Sequence, residues 1–439
     1  MKQDSPGLRQ AQMSSAAGKK EESIIGTKRP DSLEINRIAD FGKVWGVVNY
    51  FHPSMGKGIL NADSLLLNTI GGLLKEPSAV NFNNALNALF AKIGDPHSGI
   101  VVHPGVMVPQ IQVRHALYST KLSSGELYLA IPQNAFRKEL TPDIILNPNL
   151  PGQAFIIDLR NDRPDQEMGA RQYLNFVQPL LSRLVRQTME LPTARSFYYH
   201  GLMREDFQHD FNILSPDQDG AVKGYLQVFN GFRNISNGSY LLPAAAVSSL
   251  SQKKFCFIVN RYVNINTLKA LMALRNRNAC RLIFEGELPE YILGDFYTMH
   301  LSDNLTVKIK TSEILYEDGT LGTKPDIFIP VQQDTSLNAL SIVKATQLLK
   351  KPFPAKAWIK PENMVFIRKP QYNYPAAGVP DARLRLLGLF NFWNAVYYFS
   401  PNKELISFDW NQALPSFIPE FLAAKTAPAY FLALMRLTA

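Results

Sequence analysis

Cysteine is nearly absent from the chain: two thiols in 439 residues, Cys256 and Cys280. Two cysteines cannot build the disulfide framework of a small secreted domain. Cys256 sits inside an apolar run, where it reads as a small core residue, and the redox compartment stays open. Long hydrophobic runs are missing too; none approaches the ~18 consecutive apolar residues of a membrane span. The opening segment MKQDSPGLRQAQMSSAAGKKEESIIGTKRP has no apolar stretch of the signal-peptide kind. As written, the chain reads as soluble and unexported. There is no phosphate-cradling glycine loop, so nucleotide chemistry is unsupported. His200, Glu205 and His209 lack the spacing that puts two imidazoles on one helix face. SPDQDG (215–220) begins like a calcium loop, but Leu226 stands where the bidentate glutamate belongs. No metal or cofactor is expected.

Acidic residues are outnumbered, 37 against 46 basic ones, giving a formal charge of +9 and a pI near 9.3. Such an excess speaks to solubility and non-specific contacts. The basic residues are scattered, and the densest run, KKPFPAKAWIKPENMVFIRKPQ (350–371), is broken by prolines. It reads as a solvated linker, and no nucleic-acid partner is expected.

What is present is an ordinary globular composition, 46% hydrophobic and 11% aromatic, long enough for two or three domains. Residues 1–36 are polar and expected to be disordered. From Arg37, INRIADFGKVWGVVNYF carries apolar residues at helical spacing (Ile38, Phe41, Val44, Trp45, Val48) until HPSMGKG breaks it. ADSLLLNTIGGLLKE and NFNNALNALFAKIG follow, ending at DPHSG, so 37–99 is predicted to be a helical module. Beyond it the apolar runs shorten: GELYLAIP, QAFIIDLR, KKFCFIVN, CRLIFEG and PDIFIP, with helical stretches such as GARQYLNFVQPLLSRLVRQTMEL between them. Buried strands alternating with helices predict an α/β core over 100–330. NLTVKIKTSEILYEDG alternates like one hairpin strand with a solvated face. Residues 331–382 hold one helical piece and then the proline-rich basic linker.

A repeat spans the chain. WGVVNYFHP (45–53) returns as WNAVYYFSP (393–401), Arg37 falls on Arg385 in the same register, and both copies run into an Asp-led helix. Residues 383–439 thus read as the helical domain of a second, incomplete repeat. Its stripe Leu386, Leu389, Phe390, Trp393, Val396 and Tyr397 would be an exposed patch unless it packs back on the first copy or the native protein continues. Continuation is the expectation.

In FCFIVNRYVNINTLKAL (255–271) an apolar strand meets a polar turn and then a helix. A helix start there suits a nucleophile, because its free N–H groups and dipole favour negative charge. The turn offers Asn264, Ile265, Asn266 and Thr267, and no serine; Ser248, Ser249 and Ser251 precede the strand.

Four stretches in order, WGVVNYFHP leading to DPHSG, then FIIDLRND, FIVNRYVNI and DGTLGTKPDIFIP, resemble the tail-specific (C-terminal processing) serine protease family. The resemblance covers about 37–330, with 383–439 as the start of a second copy, and is greatest to the two-module members. It implies a crotonase-like α/β core behind an N-terminal helical module. Only about sixty residues separate His97 from Asp158, too few for the peptide-binding insert that some members carry.

The implied chemistry is acyl transfer by an activated serine, which needs a nucleophile, a base and oxyanion donors. The resemblance places Asp95 and His97 in the family's Asp-x-His motif, with His97 at the base position. It places Asp158, Arg160, Asn260, Pro325 and Asp326 in the core motifs. The nucleophile, five residues after Asn260, falls on Ile265, which has no proton to give and no lone pair. Thr267 lies most of a helical step away. Where the family has a Gly-Gly turn donating to the substrate carbonyl, this chain has Arg163, a side chain in the way, and Pro164, which lacks an N–H. The glutamate of the histidine-using branch is missing, with Glu317 a poor substitute, and IFEGELPEY lacks the lysine of the Ser–Lys branch.

The expectation is therefore a serine peptidase homologue whose module is catalytically inactive, binding an extended peptide or protein C-terminal segment, or scaffolding an active protease module downstream. The alternatives are an active peptidase with relocated residues and a truncated or decayed fragment. The resemblance alone suggests a cell-envelope or periplasmic setting.

Overall fold

A computed structural model describes residues 31–57, 60–101, 112–137, 140–142, 154–185, 187–197, 228–229, 232–234, 241–242, 249–322, 324–353 and 379–438. Residues 1–30 of the expected disordered start, most of the basic linker, SPDQDG, and His200, Glu205 and His209 lie outside these residues, whereas residues 32–36, expected to be disordered as well, form the first turns of the helix Ser32–Phe51. The chain divides into two compact units, one of Met1–Gly42, Leu66–Leu89 and Ala377–Ala439, the other of Lys43–Leu65 and Phe90–Ala376.

The second unit is built on a six-stranded sheet. Its order is Ile327–Ile329, Arg281–Glu285, Lys254–Asn260, Ala154–Asp158, Leu127–Ala130 and Tyr118–Lys121. All neighbours are parallel except the last pair, which is antiparallel. The five parallel runs are the ones the sequence marks as short and apolar throughout, the signature of strands covered on both faces. Alternate side chains sort into two cores. Phe155, Ile157, Phe255, Phe257, Leu282 and Phe284 meet Tyr173, Phe176 and Val177 and the helices Gln178–Ser182 and Ile265–Asn276. Ile156, Cys256, Ile258, Ile283 and Ile329 meet Ile342, Ala345, Leu348 and Leu349 of Leu340–Lys350. Each large side chain so buried contributes about 1.5–3 kcal/mol.

Two expectations are corrected. GARQYLNFVQPLLSRLVRQTMEL is not one long helix. It passes through a π turn, Tyr173–Val177, just before Pro179, and ends at Ser182; Met189–Glu190 is strand. The wider turn accommodates a proline that has no N–H and whose ring crowds the preceding turn. NLTVKIKTSEILYEDG is not one strand either. Thr306–Lys310 pairs antiparallel with Phe296–His300 and Gly99–Ile100, whereas Ser312–Leu315 pairs with Thr193–Phe197 in another sheet. The break lies at Thr311, where the N–H groups of Thr311 and Ser312 both donate to the Asp295 carbonyl, at 2.8 and 3.4 Å. Gly294 precedes it at φ +119°, where a Cβ would stand 2.2 Å from the Ser312 carbonyl oxygen, so only glycine fits.

The first unit is helical. Its elements include Gly71–Lys75, parts of Ser32–Phe51, Ala62–Thr69 and Ala79–Ile93, and the helices Ala382–Phe399, Trp410–Ala423 and Ala427–Thr438. Asp31 and Glu34 form a reciprocal capping box, each main-chain N–H donating to the other's carboxylate at 2.8 Å. Asp381 and Asp409 cap later helices by accepting from Leu384 N and Asn411 N. The stripe that needs cover is largely covered: Leu386, Leu389, Phe390 and Trp393 are buried within this unit. It packs on its own unit's helices.

Candidate functional site

In parallel sheets the crevice beyond the carboxyl ends of the strands is where side chains converge. Here Asp158, Asn260 and Glu285, the last residues of three adjacent strands, all arrive there buried. Arg160 ties two of them. Its Nε donates to Asp158 Oδ1 at 3.0 Å and its Nη2 to Asp158 Oδ2 at 2.6 Å, while Nη1 donates to Glu285 Oε2. The Tyr128 hydroxyl donates to Asp158 Oδ2 at 2.8 Å, and Gln332 N donates to Glu285 Oε1 at 3.1 Å. Burial alone would make the guanidinium easier to deprotonate, but the two carboxylates outweigh it and hold Arg160 above its ordinary range. Burial, then Asp158, pushes the Tyr128 hydroxyl up. Every carboxylate oxygen of Asp158 and Glu285 accepts at least one hydrogen bond, so these side chains form a buried ionic knot.

The third strand end is tied to the turn. Asn260 Nδ2 donates to the Asn161 carbonyl at 2.6 Å, and its Oδ1 accepts from Asn161 N and Tyr262 N at 3.3 Å each. Asn161 Oδ1 accepts from Gln133 N at 2.9 Å, and Gln133 Nε2 donates to the Tyr262 carbonyl. Asn264 caps Ile265–Asn276, its Oδ1 accepting from Asn266 N at 2.9 Å. The neighbouring helix comes close at Gly169, where a Cβ would lie 2.8 Å from Gln133 Nε2 and 3.3 Å from Asn264 Cβ. The N–H groups of Arg160, Asn161, Tyr262 and Asn266 are thus all satisfied by side-chain oxygens. An oxyanion hole needs such donors left free and aimed at a developing charge. Arg163 and Pro164 lie exposed in the turn, and Asp165 after them caps Gln166–Gln172.

Ile265 is the first residue of its helix and 37% exposed, so an apolar side chain stands at the position the resemblance gives the nucleophile. Thr267 is wholly buried and out of reach of substrate. Ser249 lies in the turn Ser249–Gln252, at the opposite end of its strand.

His97 is exposed, and its main-chain N–H donates to Asp95 Oδ1 at 3.2 Å. Partial burial and the Lys310 cation pull its pKa down, against Asp95. Among the described residues no hydrogen bond or ion pair joins His97 to Ile265. The histidine that Asp95 engages is His52, which in the sequence reads as part of a helix break. His52 Nε2 lies 3.3 Å from Asp95 Oδ2 and 3.4 Å from Ser98 Oγ, and Ser98 Oγ donates to Asp95 Oδ2 at 2.6 Å while accepting from Lys310 N. A serine, a histidine and an aspartate are therefore together, but wired the wrong way. The serine proton goes to the aspartate. His52 Nδ1 accepts from Ser54 N at 3.1 Å, so the neutral ring carries its proton on Nε2 and has no lone pair for Ser98. Burial pushes the Asp95 carboxyl up, but hydrogen bonds from His52, Ser98 and His97 N, with Lys310 nearby, overcome it and hold it well below the usual range.

Pro325 and Asp326 sit at the other end of the sheet. Asp326 exchanges hydrogen bonds with the Leu282 backbone and lies 3.4 and 3.5 Å from Arg275 and Arg281, pinning strand starts. Among the described residues no group of three or more His, Cys, Asp or Glu could hold a metal ion, and no helix is long and apolar enough to cross a membrane.

No protein-family model matches the chain, and no curated protein matches its sequence. Solved structures do. A peptidase candidate from Parabacteroides merdae aligns at 12% identity and TM-score 0.40 over 72% of this chain and 97% of its own. A photosystem II D1 C-terminal processing protease aligns at 11% identity and TM-score 0.33, over 71% and 97%. Mature CPAF aligns at 15% identity and TM-score 0.27 over 54% of this chain; the match spans about half of CPAF, 52%. Likeness of this size assigns neither activity nor substrate.

Proposed function

We propose that this chain is a non-cleaving peptidase homologue: a tail-specific-protease-like module with a crotonase-like core that binds an extended peptide or protein C-terminal segment. It would present that segment to an active module or partner. The observation that carries the reading is Ile265 at the exposed start of the helix after the central strand Lys254–Asn260, with Asn264 closing the helix cap. Without a hydroxyl or thiol there, general-base activation has nothing to act on. The inward hydrogen bonding of Asn161 and Tyr262 supports it independently, because removing one oxyanion donor costs ~10²–10³ in rate.

A serine-directed fluorophosphonate probe tests the inactivity. The purified protein should take up no label, whereas stoichiometric labelling mapped to any serine of 100–330 would overturn it. Binding is tested by melting temperature against a pool of extended peptides. Peptide at about 100 times its dissociation constant should add about 2.7 kcal/mol of apparent stability. A cooperative melt that no peptide shifts would leave the module without its proposed ligand, and a non-cooperative melt would favour the decayed fragment. The relocated-active-site alternative has Ser98, His52 and Asp95 to draw on, and the tautomer fixed by Ser54 N speaks against it.

A further inference from the structure

The sequence repeat extends past the nine residues that announce it. At the same offset, Trp45 to Trp393, the segment AVNFNNALNAL of Ala79–Ile93 falls on Ala427–Thr438: Ala79 on Ala427, Phe82 on Tyr430, Ala85 on Ala433, Leu86 on Leu434 and Leu89 on Leu437. The hydrogen bonding repeats with it. Trp45 Nε1 donates to the Ala62 carbonyl at 2.7 Å, and Trp393 Nε1 donates to the Trp410 carbonyl at 2.8 Å, each seventeen residues on. Arg37 and Arg385 both send guanidinium N–H groups to main-chain carbonyls, of Pro77 and of Phe421 and Leu422.

Within the first unit, Gly42 lies against the ring of Phe390, with a Cβ at position 42 placed 2.7 Å from ring carbons. At the offset of the repeat, Phe390 is Gly42's own counterpart. Two like helices that touch at equivalent positions are related by a two-fold axis through that contact, as in an isologous dimer interface. Asn394 Nδ2 adds a bond to the Gly42 carbonyl at 3.2 Å; its counterpart, Gly46, has no side chain to return it.

We infer that, within the helical unit, residues 32–42 of the first helix and the helix Ala382–Phe399 pair about a local two-fold axis as an intramolecular pseudo-dimer, with Gly42 and Phe390 as its hole and knob. The partner this helical surface fits is the chain's own second copy. Pairing of first copy with first copy would set glycine on glycine and leave a void. Second with second would set phenylalanine on phenylalanine and collide. The mismatch in size selects the unlike copy against both.

The test is a side-chain exchange in the full chain, read by thermal melting. Gly42→Phe overpacks the contact and Phe390→Gly hollows it, and each should lower the melting temperature by roughly 5–15 °C. The double variant Gly42→Phe/Phe390→Gly moves the knob to the other side of the axis and should recover at least half of either loss. A double variant that melts at or below the worse single overturns the inference. If both singles and the double fail to fold, the milder pair decides: Phe390→Leu should raise the melting temperature of Gly42→Ala, and a further drop overturns the two-fold pairing.

Discussion

Replacing Arg160 by methionine probes the ionic knot at the strand ends. The guanidinium is buried and is the only cation bonded to Asp158 and Glu285 among the described residues. Removing one partner of a buried pair costs about 3–5 kcal/mol, because the survivor keeps its desolvation cost without its counter-ion. Two carboxylates are stranded here, so the upper half of that range applies. At about 2–4 °C per kcal/mol for a unit of this size, the midpoint should fall by roughly 8–20 °C. The loss carries a pH signature. Without the cation, burial favours the neutral carboxyl, so stability is held at low pH and lost as pH rises. The deficit against wild type should therefore be larger at pH 8 than at pH 5, measured by urea unfolding at both. Changing all three residues to apolar ones of similar size should cost less than Arg160→Met alone. A deficit below about 1 kcal/mol, or one that does not grow with pH, would refute the knot as a stabilising unit.

Ile265→Ser should leave the protein unlabelled by a fluorophosphonate, since His97 makes no bond toward that position; labelling at residue 265 would show that only the nucleophile was missing. Asp95 is held below its ordinary value in the folded chain, so its contribution is present above the unfolded value near 3.8 and is lost progressively as pH falls from there toward the lower folded value. Asp95→Asn should flatten the acid limb of a melting profile between about pH 5 and pH 2, and an unchanged slope would contradict the Asp95–His52–Ser98 wiring. Cys256 and Cys280 are fully buried with thiols pushed up by desolvation, so neither should react with a disulfide reagent at pH 8 until denaturant is added. Fast modification of the native protein would mean that the sheet's core opens readily.

The central strands were legible because a strand covered on both faces leaves an unbroken apolar run, and turn residues bound each one. Asn260 could be read as a strand end for the same reason. Its partner Asn161 lies 99 residues away, and Glu285 lies 125 from Arg160; only the parallel register of neighbouring strands brings such pairs together. A glutamate after an apolar run gives no sign of which arginine it will face. His52 escaped notice because a histidine before proline looks like a helix stop, and the carboxylate that claims it comes 43 residues later. Asp326 lies in a stretch that resembles a family motif, yet its strand runs so that the aspartate meets strand starts while the candidate site lies at strand ends.

The buried stripe of Ala382–Phe399 shows where reasoning from amphipathicity stops. Periodicity said that Leu386, Leu389 and Phe390 needed cover, and it could not say what would supply it. Within the helical unit the ring of Phe390 lies against Gly42, whose missing side chain leaves room for it. That contact joins two positions 348 residues apart, and no amphipathic pattern read along one helix could link them.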